Sequence, residues 1–151
     1  MKTTKQQKSR GDYSLFTILF SLITLSVLSY ANMTRTGNIV ADSTTGLQWQ
    51  DDIQAKTTLK TWTAAIDYCE ALSLDTYNDW RLPNKKELLS IADYSRVNPS
   101  INPVFVNTTS DYYWSSTTDA GRTARAWIVY FYYGYTYGSY KTSTLYVRCV
   151  R

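Results

Sequence analysis

The sequence predicts an α+β domain of two helices and short antiparallel strands, preceded by an N-terminal signal or anchor segment. Apolar residues recur at helical spacing around Cys69, and a helix-capping signature begins at Asn84. From Tyr112 onward the pattern changes to short alternating runs typical of strands. No internal repeat, Pro-rich linker or charge block divides residues 32–151, so we predict one domain there, after a segment of residues 1–31.

The domain begins with two predicted strands joined by a turn. Residues 37–41 form the first strand and residues 47–50 the second. The turn between them, at residues 42–46, starts with Asp and ends with Gly, which suits a tight reversal of the chain.

Two helices follow. Thr61 is a predicted N-cap for a helix that runs to about Leu74, and its apolar face is formed by Trp62, Ala65, Ile66, Cys69 and Leu72. The second helix opens after Pro83, where Asn84 and Glu87 form a capping box, and it ends before Pro99. Its inward residues are Leu88, Ile91 and Ala92.

The C-terminal third is predicted to be strands. They cover residues 113–116, 126–133 and 145–150. Along residues 126–133 the alternation predicts that Trp127, Val129 and Phe131 face the core, with Ile128, Tyr130 and Tyr132 on the other face. The last strand places Cys149 on its apolar face, together with Leu145 and Val147.

The first 31 residues have the features of a targeting segment. Four cations precede an apolar run, and Ser29 and Ala31 suit signal-peptidase cleavage before Asn32. The alternative is an uncleaved signal anchor, because residues 13–31 are almost long enough to span a bilayer. Either interpretation predicts export to the periplasm, the cell surface or the medium, with membrane contact only through this segment if it is retained. No Cys follows the apolar run directly, which excludes a lipoprotein anchor.

Export gives the two cysteines a predicted role. Two Cys in an exported domain most often form one disulfide, and both Cys69 and Cys149 lie on predicted apolar faces. We therefore expect a bridge between them. The alternative is a pair of unpaired buried thiols.

Composition excludes several classes of function. The chain has no His, which removes Ser-His and Cys-His nucleophiles and His-based metal sites, and two Cys cannot form a four-cysteine zinc site. We expect neither a metal nor a cofactor. From Asn32 onward 12 basic side chains face 11 acidic ones without clustering, so nucleic acid is not an expected partner.

Six motifs in order resemble the Lcl C-terminal domain family. They lie at residues 42–49, in the helix with Trp62 and Cys69, and at residues 79–88, 113–116, 126–127 and 147–151. The resemblance implies a C-type-lectin-like fold whose N- and C-terminal strands meet, with two helices and an irregular ligand-binding surface. It also implies the Cys69–Cys149 pairing and no established enzyme activity. Formylglycine-generating enzymes have a related fold but need a reactive cysteine pair, so that enzymology is the less favoured alternative.

Two polar strings favour structural roles. In Asp79-Trp80-Arg81-Leu82-Pro83 we expect Trp80 and Leu82 in the core and Arg81 paired with a carboxylate, in preference to a calcium or anion site. The Glu-Pro-Asn and Gln-Pro-Asp strings of calcium-dependent lectins are absent from the sequence. Asp51 and Asp52 are expected to be a solvated loop pair and not an acid–base pair.

The tyrosines are the strongest functional signal. Nine of the 14 Tyr lie between Tyr112 and Tyr146, and Gly134 and Gly138 predict a loop through the densest part. Tyr gives large amphipathic contact area at low entropic cost, which favours a recognition surface for a protein or glycan over a structural tyrosine ladder. The predicted ligand-binding residues are Tyr112, Arg122, Arg125, Tyr130, Tyr132, Tyr133, Tyr135, Tyr137 and Tyr140.

The absence of Asn after Asn107 adds a sharper hypothesis. The resemblance includes variable proteins of diversity-generating retroelements, in which template adenines are replaced and Asn codons become Tyr, Ser, Asp, Gly or Arg. The pattern fits six of the tyrosines just named, those from Tyr130 to Tyr140, and it allows Asp111, Tyr112, Asp119, Arg122 and Arg125. The alternative function is a fixed structural or adhesive module of the cell envelope that binds no small ligand.

Overall fold

The structure is a computed structural model that describes residues 32–151. The predicted signal or anchor segment lies outside the described residues. Within residues 32–151 no helix combines the length and the apolar character needed to cross a membrane. The described part contains two helices and two β-sheets, which confirms the α+β class.

A three-stranded antiparallel sheet opens the domain. Its strands are adjacent in the order β1-β2-β3, with β1 at Met33–Thr36, β2 at Ile39–Asp42 and β3 at Gln48–Gln50. The prediction missed β1, because its residues are mostly exposed and carry no apolar alternation. It also began the next strand too early, because Gly37 has a φ of 58° and turns the chain between β1 and β2.

The predicted turn after β2 is confirmed. The Asp42 carboxylate accepts a hydrogen bond from the Thr44 amide at 2.9 Å and another from the Thr45 hydroxyl at 2.7 Å. Gly46 then adopts a φ of 74°, a conformation that glycine accepts without steric cost. The Asp and Gly at the two ends of this turn therefore have separate, local roles.

The second sheet has five strands in the order β4-β8-β5-β6-β7. Its pairings are antiparallel, except that β5 and β8 run parallel where Tyr113 meets Tyr146. This order leaves β7 at one edge and the two-residue β4 at the other. The strands are β4 at Leu59–Lys60, β5 at Tyr112–Thr118, β6 at Arg125–Tyr130, β7 at Tyr135–Tyr140 and β8 at Leu145–Tyr146.

Two α-helices, α1 at Trp62–Glu70 and α2 at Lys85–Ser90, pack against the five-stranded sheet, and a 3₁₀ turn occupies Ile53–Lys56. The prediction that α1 continues to Leu74 is wrong. The helix stops at Glu70, and Leu74 instead pairs with Tyr77 across a tight turn. The capping box of α2 is confirmed, because the Asn84 side chain accepts from the Glu87 amide and the Glu87 carboxylate accepts from the Asn84 amide.

Strand β6 is buried on both of its faces. Ala126 and Ile128 pack in a cluster with Cys69, Trp114 and other residues beside α1. On the opposite face Val129 belongs to a second cluster, whose members include Phe131, Tyr113, Leu88 and Ile91. The predicted single inward face was therefore wrong, because a sheet covered on both sides buries successive residues of its central strands.

Trp127 is the clearest departure from the predicted core. It is only partly buried, and the Lys85 ammonium lies 3.9 Å from the centre of its ring. Its neighbour Ile128, predicted to face away from the core, is 4% exposed. The indole therefore lies partly open to solvent on the inner strand β6, beneath a cation.

The disulfide between Cys69 and Cys149 is confirmed. It joins α1 to the C-terminal segment, with the two Cα atoms 5.5 Å apart. That segment also pairs with β3, because the Gln48 amide donates to the Arg151 carbonyl and the Gln50 amide to the Cys149 carbonyl, each at 3.0 Å. The beginning and the end of the described domain are thus joined, as the family resemblance implied.

The contrast between Trp80 and Trp127 makes a testable prediction. Trp80 is 2% exposed and belongs to the core cluster with Cys69. We expect Trp80→Ala to lower the free energy of unfolding by about 3 kcal/mol, because it leaves a buried cavity. Trp127→Ala, which removes a half-buried ring and its cation–π contact, should cost about 1 kcal/mol. Urea melts of the two variants measure the difference, and equal losses would contradict this placement of the indoles.

Candidate functional site

A cluster of six tyrosines lies on one face of the five-stranded sheet. Strand register brings its strand members together, because Tyr112 of β5 is opposite Tyr130 of β6, and Tyr130 is opposite Tyr135 of β7. Side chains of directly opposed strand residues project from the same face. We call this set the tyrosine cluster, and its members are Tyr112, Tyr130, Tyr132, Tyr133, Tyr135 and Tyr137.

The rings of the tyrosine cluster contact one another in a continuous array. Tyr112 stacks on Tyr130 with 4.3 Å between ring centroids, and Tyr130 stacks on Tyr132 at 5.8 Å. Tyr133 lies 4.5 Å from Tyr132 in an edge-to-face arrangement and stacks on Tyr135 at 5.9 Å. These separations are in the range of favourable aromatic pairs, so each ring restrains its neighbours.

The outer rings of the cluster are open to solvent. Tyr133 is 48% exposed, Tyr135 is 55% exposed and Tyr137 is 47% exposed, while the other three rings are partly buried. Among residues 32–151 the hydroxyls of Tyr68 and Tyr113 have hydrogen-bond partners, whereas none of the six phenol hydroxyls of the cluster has one. Six hydroxyl groups are therefore free to bond to water or to a ligand.

A glycine-dependent turn positions Tyr132 and Tyr133. The Tyr130 carbonyl accepts hydrogen bonds from the Gly134 amide at 2.8 Å and the Tyr133 amide at 3.2 Å. Gly134 has a φ of 78°, and a Cβ atom there would lie 2.9 Å from the Ser100 hydroxyl. Only glycine fits this position, so the turn that joins β6 to β7 fixes the middle of the cluster.

The predicted loop through Gly134 and Gly138 is wrong beyond the turn. Strand β7 begins at Tyr135 and pairs with β6 over six residues, with Gly138 opposite Trp127. A Cβ atom on Gly138 would lie 3.4 Å from the Asp119 carboxylate. Gly138 is therefore a residue of a paired strand beside Asp119, a position that composition alone does not distinguish from a loop.

Tyr140 lies on the other face of β7. Alternation along the strand puts Tyr135 and Tyr137 on one side and Tyr140 on the opposite side, where Arg125 is its cross-strand partner. The Arg125 guanidinium carbon is 4.3 Å from the centre of the Tyr140 ring. These residues line an open cavity of about 370 Å³, together with Gly121, Arg122, Thr123 and Ala124.

A nearly buried carboxylate holds the loop beside this cavity. Asp119 is 6% exposed, and it accepts hydrogen bonds from the Gly121 amide and the Arg122 side chain, each at 3.1 Å. Its charge offsets that of Arg122. Arg125 has no carboxylate partner among residues 32–151 and leaves the cavity with net positive charge.

The two faces differ in their electrostatics. Partial burial raises the pKa of the Tyr130 hydroxyl above its usual value, and Tyr112 and Asp111 act in the same direction. On the other face the side-chain hydrogen bond from Arg125 lowers the pKa of the Tyr140 hydroxyl, with further help from the Arg125 and Arg122 charges. The pKa values of the Tyr130 and Tyr140 hydroxyls are therefore shifted in opposite directions, and the lowered one lies beside the cations of the cavity.

The structure divides the residues that we predicted to form one ligand-contacting face. Six of them form the tyrosine cluster, whereas Tyr140, Arg122 and Arg125 lie at the cavity on the opposite side. The division arises because side chains of strand β7 alternate between the two faces of the sheet. The loop that we predicted there would have no such alternation. Contact with a ligand stays a prediction for all nine residues.

Asp51 is the centre of a buried polar network that sequence reasoning missed. Asp51 and Arg148 are both fully buried, with the Arg148 guanidinium 3.1 Å from the carboxylate. Arg35 forms a second ion pair with the same carboxylate at 2.7 Å, and the amides of Val106 and Asn107 donate to it at 3.1 Å. The expected solvation of Asp51 is therefore wrong, and its oxygens are occupied by structural contacts.

Arg148 ties this network to distant parts of the chain. It donates to the Gln50 and Asn107 carbonyls, both at 2.6 Å, and to the Thr108 hydroxyl at 2.7 Å. Its guanidinium carbon also lies 4.7 Å from the centre of the Phe105 ring. The sequence placed Arg148 on the polar side of a strand, and no local pattern marks a buried arginine.

The contacts of Asp51 and Asp52 argue against an acid–base pair at these two positions. Asp52 caps the 3₁₀ turn by accepting from the Ala55 amide at 3.2 Å, and it also accepts from the Gln50 side chain at 2.9 Å. Within the described residues no group of three or more Cys, Asp or Glu side chains is placed to hold a metal ion.

The string from Asp79 to Pro83 has the structural role that we predicted. Trp80 and Leu82 are buried, and Arg81 forms two hydrogen bonds of 2.8 Å with the Glu87 carboxylate. Asp79 pairs with Arg151 at 2.6 Å, which secures the C-terminus. The charged side chains of Asp79 and Arg81 are therefore both paired with other charged residues of the domain.

Comparison with known families agrees with the motifs of the sequence. The sequence pattern of the Lcl C-terminal domain matches residues 38–151, a range that contains every described element after β1. The tyrosine cluster, the disulfide and the buried Arg148 all lie inside it. No curated protein matches the chain.

Proposed function

Because the chain belongs to the Lcl C-terminal domain family, we propose that it is an exported binding protein that recognises a protein or a glycan through the tyrosine cluster. A C-type-lectin-like fold is part of the proposal. It is supported by the junction of the N-terminal sheet with the C-terminal segment, by the two helices, and by the disulfide that joins α1 to that segment.

The observation that carries the proposal is the state of the tyrosine hydroxyls. A tyrosine ladder that served only the fold would bury its rings against the core and bond its buried hydroxyls internally. Buried Tyr113 does so, because its hydroxyl donates to the Ala55 carbonyl at 3.0 Å and accepts from the Thr109 amide. The six cluster hydroxyls have no such partners within residues 32–151, and none of their oxygens is a buried, unpaired polar atom, so the hydroxyls are open to solvent.

The geometry of the cluster also suits recognition. The rings restrain one another, so little side-chain entropy is lost when a ligand covers them. Three rings are about half exposed and present both an apolar surface and a hydroxyl. Such rigid amphipathic side chains dominate the energetics of many protein interfaces.

Diversification by a retroelement remains a finer proposal. Five of its six tyrosine positions from Tyr130 to Tyr140 belong to the cluster, and Tyr140 is also exposed. Asp119 supports it less, because that carboxylate is nearly buried and holds its loop. A near-repeat of the DNA for residues 108–151, next to a reverse-transcriptase gene, is the observation that tests it.

The alternatives are distinguished by separate observations. An enzyme of the formylglycine-generating type needs a reactive cysteine pair, and here Cys69 and Cys149 are joined in the core. A fixed structural or adhesive module of the envelope predicts a cluster that contributes stability and no selective binding. The following experiment separates that alternative from recognition.

The double variant Tyr135→Thr/Tyr137→Thr is expected to abolish binding with little change in stability. Threonine keeps the strand propensity of β7 while it removes two half-exposed rings. Rings at the centre of an interface contribute about 2 kcal/mol or more each, so their joint loss should weaken binding by at least about a hundredfold. Binding is measured on glycan and protein arrays and on cells, and stability by thermal melts.

Tyr77→Thr is the matched control, because Tyr77 is 37% exposed and its ring contacts Arg151 and, among residues 32–151, no ring of the tyrosine cluster. It should bind as the unsubstituted protein does. A large stability loss in the double variant, with binding per folded molecule intact, would show a structural ladder and reject the proposed function.

A further inference from the structure

Strand β7 is an edge strand without the usual protection against pairing. It runs for six residues, pairs with β6 in continuous register, and has no neighbour on its other side among the strands of residues 32–151. Its sequence, Tyr135 to Tyr140, contains no charged residue and no proline. Natural proteins commonly block such edges with lysine, proline or a bulge, because an open edge is a template for another strand.

The outward-facing backbone groups of β7 follow from its register. The Lys141 amide donates to the Ala124 carbonyl at 3.0 Å, so hydrogen-bonded pairs recur at every second residue from that point. Thr136, Gly138 and Tyr140 therefore turn their amide and carbonyl groups away from β6. Among residues 32–151 only the Tyr140 carbonyl of this set has a partner, the Ser143 amide at 2.8 Å.

We propose that β7 binds an extended peptide segment of a partner protein as a sixth strand of the sheet, with an acidic side chain of the peptide at the Tyr140 cavity. Strand addition of this kind obtains affinity from main-chain hydrogen bonds and specificity from alternate side chains. The inference rests on the proposed function, because Tyr135 and Tyr137 of the tyrosine cluster flank the same edge.

The positive charge of the Tyr140 cavity indicates which kind of strand pairs with β7. The cavity is lined by Arg122 and Arg125, and Asp119 offsets only one of the two cations. An acidic side chain next to Tyr140 complements the remaining charge. A second copy of β7 supplies no carboxylate, because the strand contains neither Asp nor Glu. A partner peptide is therefore favoured over self-pairing.

The two faces of β7 specify the alternation of the peptide. Residues of the added strand that lie on the side of Tyr135 and Tyr137 meet exposed phenol rings and should be apolar. Residues on the side of Tyr140 meet the cationic cavity beside Arg125 and should be acidic. The ligand class is thus an extended segment that alternates apolar and acidic residues.

The probe is an end-capped seven-residue peptide that alternates valine with glutamate. Added to the full chain, it should slow the amide hydrogen exchange of Thr136, Gly138 and Tyr140, whose amides face outward. Replacement of the glutamates by lysine should weaken binding roughly tenfold or more, since like charges then meet at the cavity. N-methylation of every second peptide amide should have an effect of similar size, because each lost main-chain donor weakens the pairing.

Thr136→Pro is the protein variant, with Thr136→Ala as its control. The outward Thr136 amide is not needed for pairing with β6, and proline is tolerated on edge strands, so the fold should persist while peptide binding falls roughly tenfold or more. Equal binding of the glutamate, lysine and N-methylated peptides would overturn the inference. So would a concentration-dependent dimer that Thr136→Pro disrupts, because the edge would then belong to a second copy.

The test separates this inference from the proposed function. Thr136→Pro leaves every ring of the tyrosine cluster in place. If array ligands depend on Tyr135 and Tyr137 but no peptide protects the β7 amides, strand addition fails and the proposed function stands. If the glutamate peptide binds as described while the Tyr135→Thr/Tyr137→Thr variant still binds array ligands, the tyrosine proposal fails and β7 is a peptide site alone.

Discussion

Asp51→Ala is expected to lower the free energy of unfolding by about 5 kcal/mol. Removal of this carboxylate leaves the fully buried Arg148 without its counter-charge, and breaking one partner out of a buried ion pair typically costs about 3–5 kcal/mol. The amides of Val106 and Asn107 also lose their acceptor, which places the loss at the upper end of that range. Urea unfolding followed by tryptophan fluorescence measures it.

Asp52→Ala is the matched control, because it removes the adjacent carboxylate from a site that is not fully buried. It should cost only about 1 kcal/mol, the value of a helix cap. A second comparison removes both charges in Asp51→Leu/Arg148→Met. That double variant should be more stable than Asp51→Ala, because no isolated buried charge remains. Equal stability of Asp51→Ala and Asp52→Ala would contradict the central position of Asp51.

The buried network around Asp51 depends on long-range contacts, which local sequence patterns do not predict. Asp51 follows a short strand as one of two acidic residues, which is typical of a solvated loop, and Arg148 alternates with apolar residues near the C-terminus. Their partnership spans 97 residues, and it depends on the meeting of β3 with the C-terminal segment. Separation of that kind leaves no periodic signal in either segment.

Elements with local chemical signals were predicted well. The capping box at Asn84, the Asp42 turn and the Cys69–Cys149 bridge each depend on a few residues whose chemistry is specific. The length of α1 and the inward face of β6 were not predicted, because both depend on what packs against them. Leu74 continues a helical pattern but pairs with Tyr77 instead, and β6 has a cover on each side.

Composition predicted which residues belong to the candidate site, but it did not predict how they are arranged. Three of the predicted ligand-binding residues, Tyr135, Tyr137 and Tyr140, are exposed in the structure. Gly134 and Gly138, four residues apart, favoured a loop, and a loop assigns no faces to its side chains. Because β7 is a strand, Tyr140 lies beside Arg125 on one face, and Tyr135 and Tyr137 lie on the opposite face as members of the tyrosine cluster. The single recognition surface thereby becomes two surfaces that share an edge.

Loss of the disulfide is expected to have the second largest effect on stability. The bridge closes a loop whose ends are 80 residues apart, and the loop-closure entropy of that length corresponds to about 4.5 kcal/mol. Cys69→Ala/Cys149→Ala should therefore unfold at much lower urea concentration, and dithiothreitol should destabilise the unsubstituted protein by a similar amount while leaving the double variant unchanged.

Mass spectrometry after alkylation gives an independent measurement, because both thiols should react only after reduction. If they are alkylated in the native, unreduced protein, α1 and the C-terminal segment are held together by packing and by the pairing of β3 with residues 149–151, and the bridge makes no contribution.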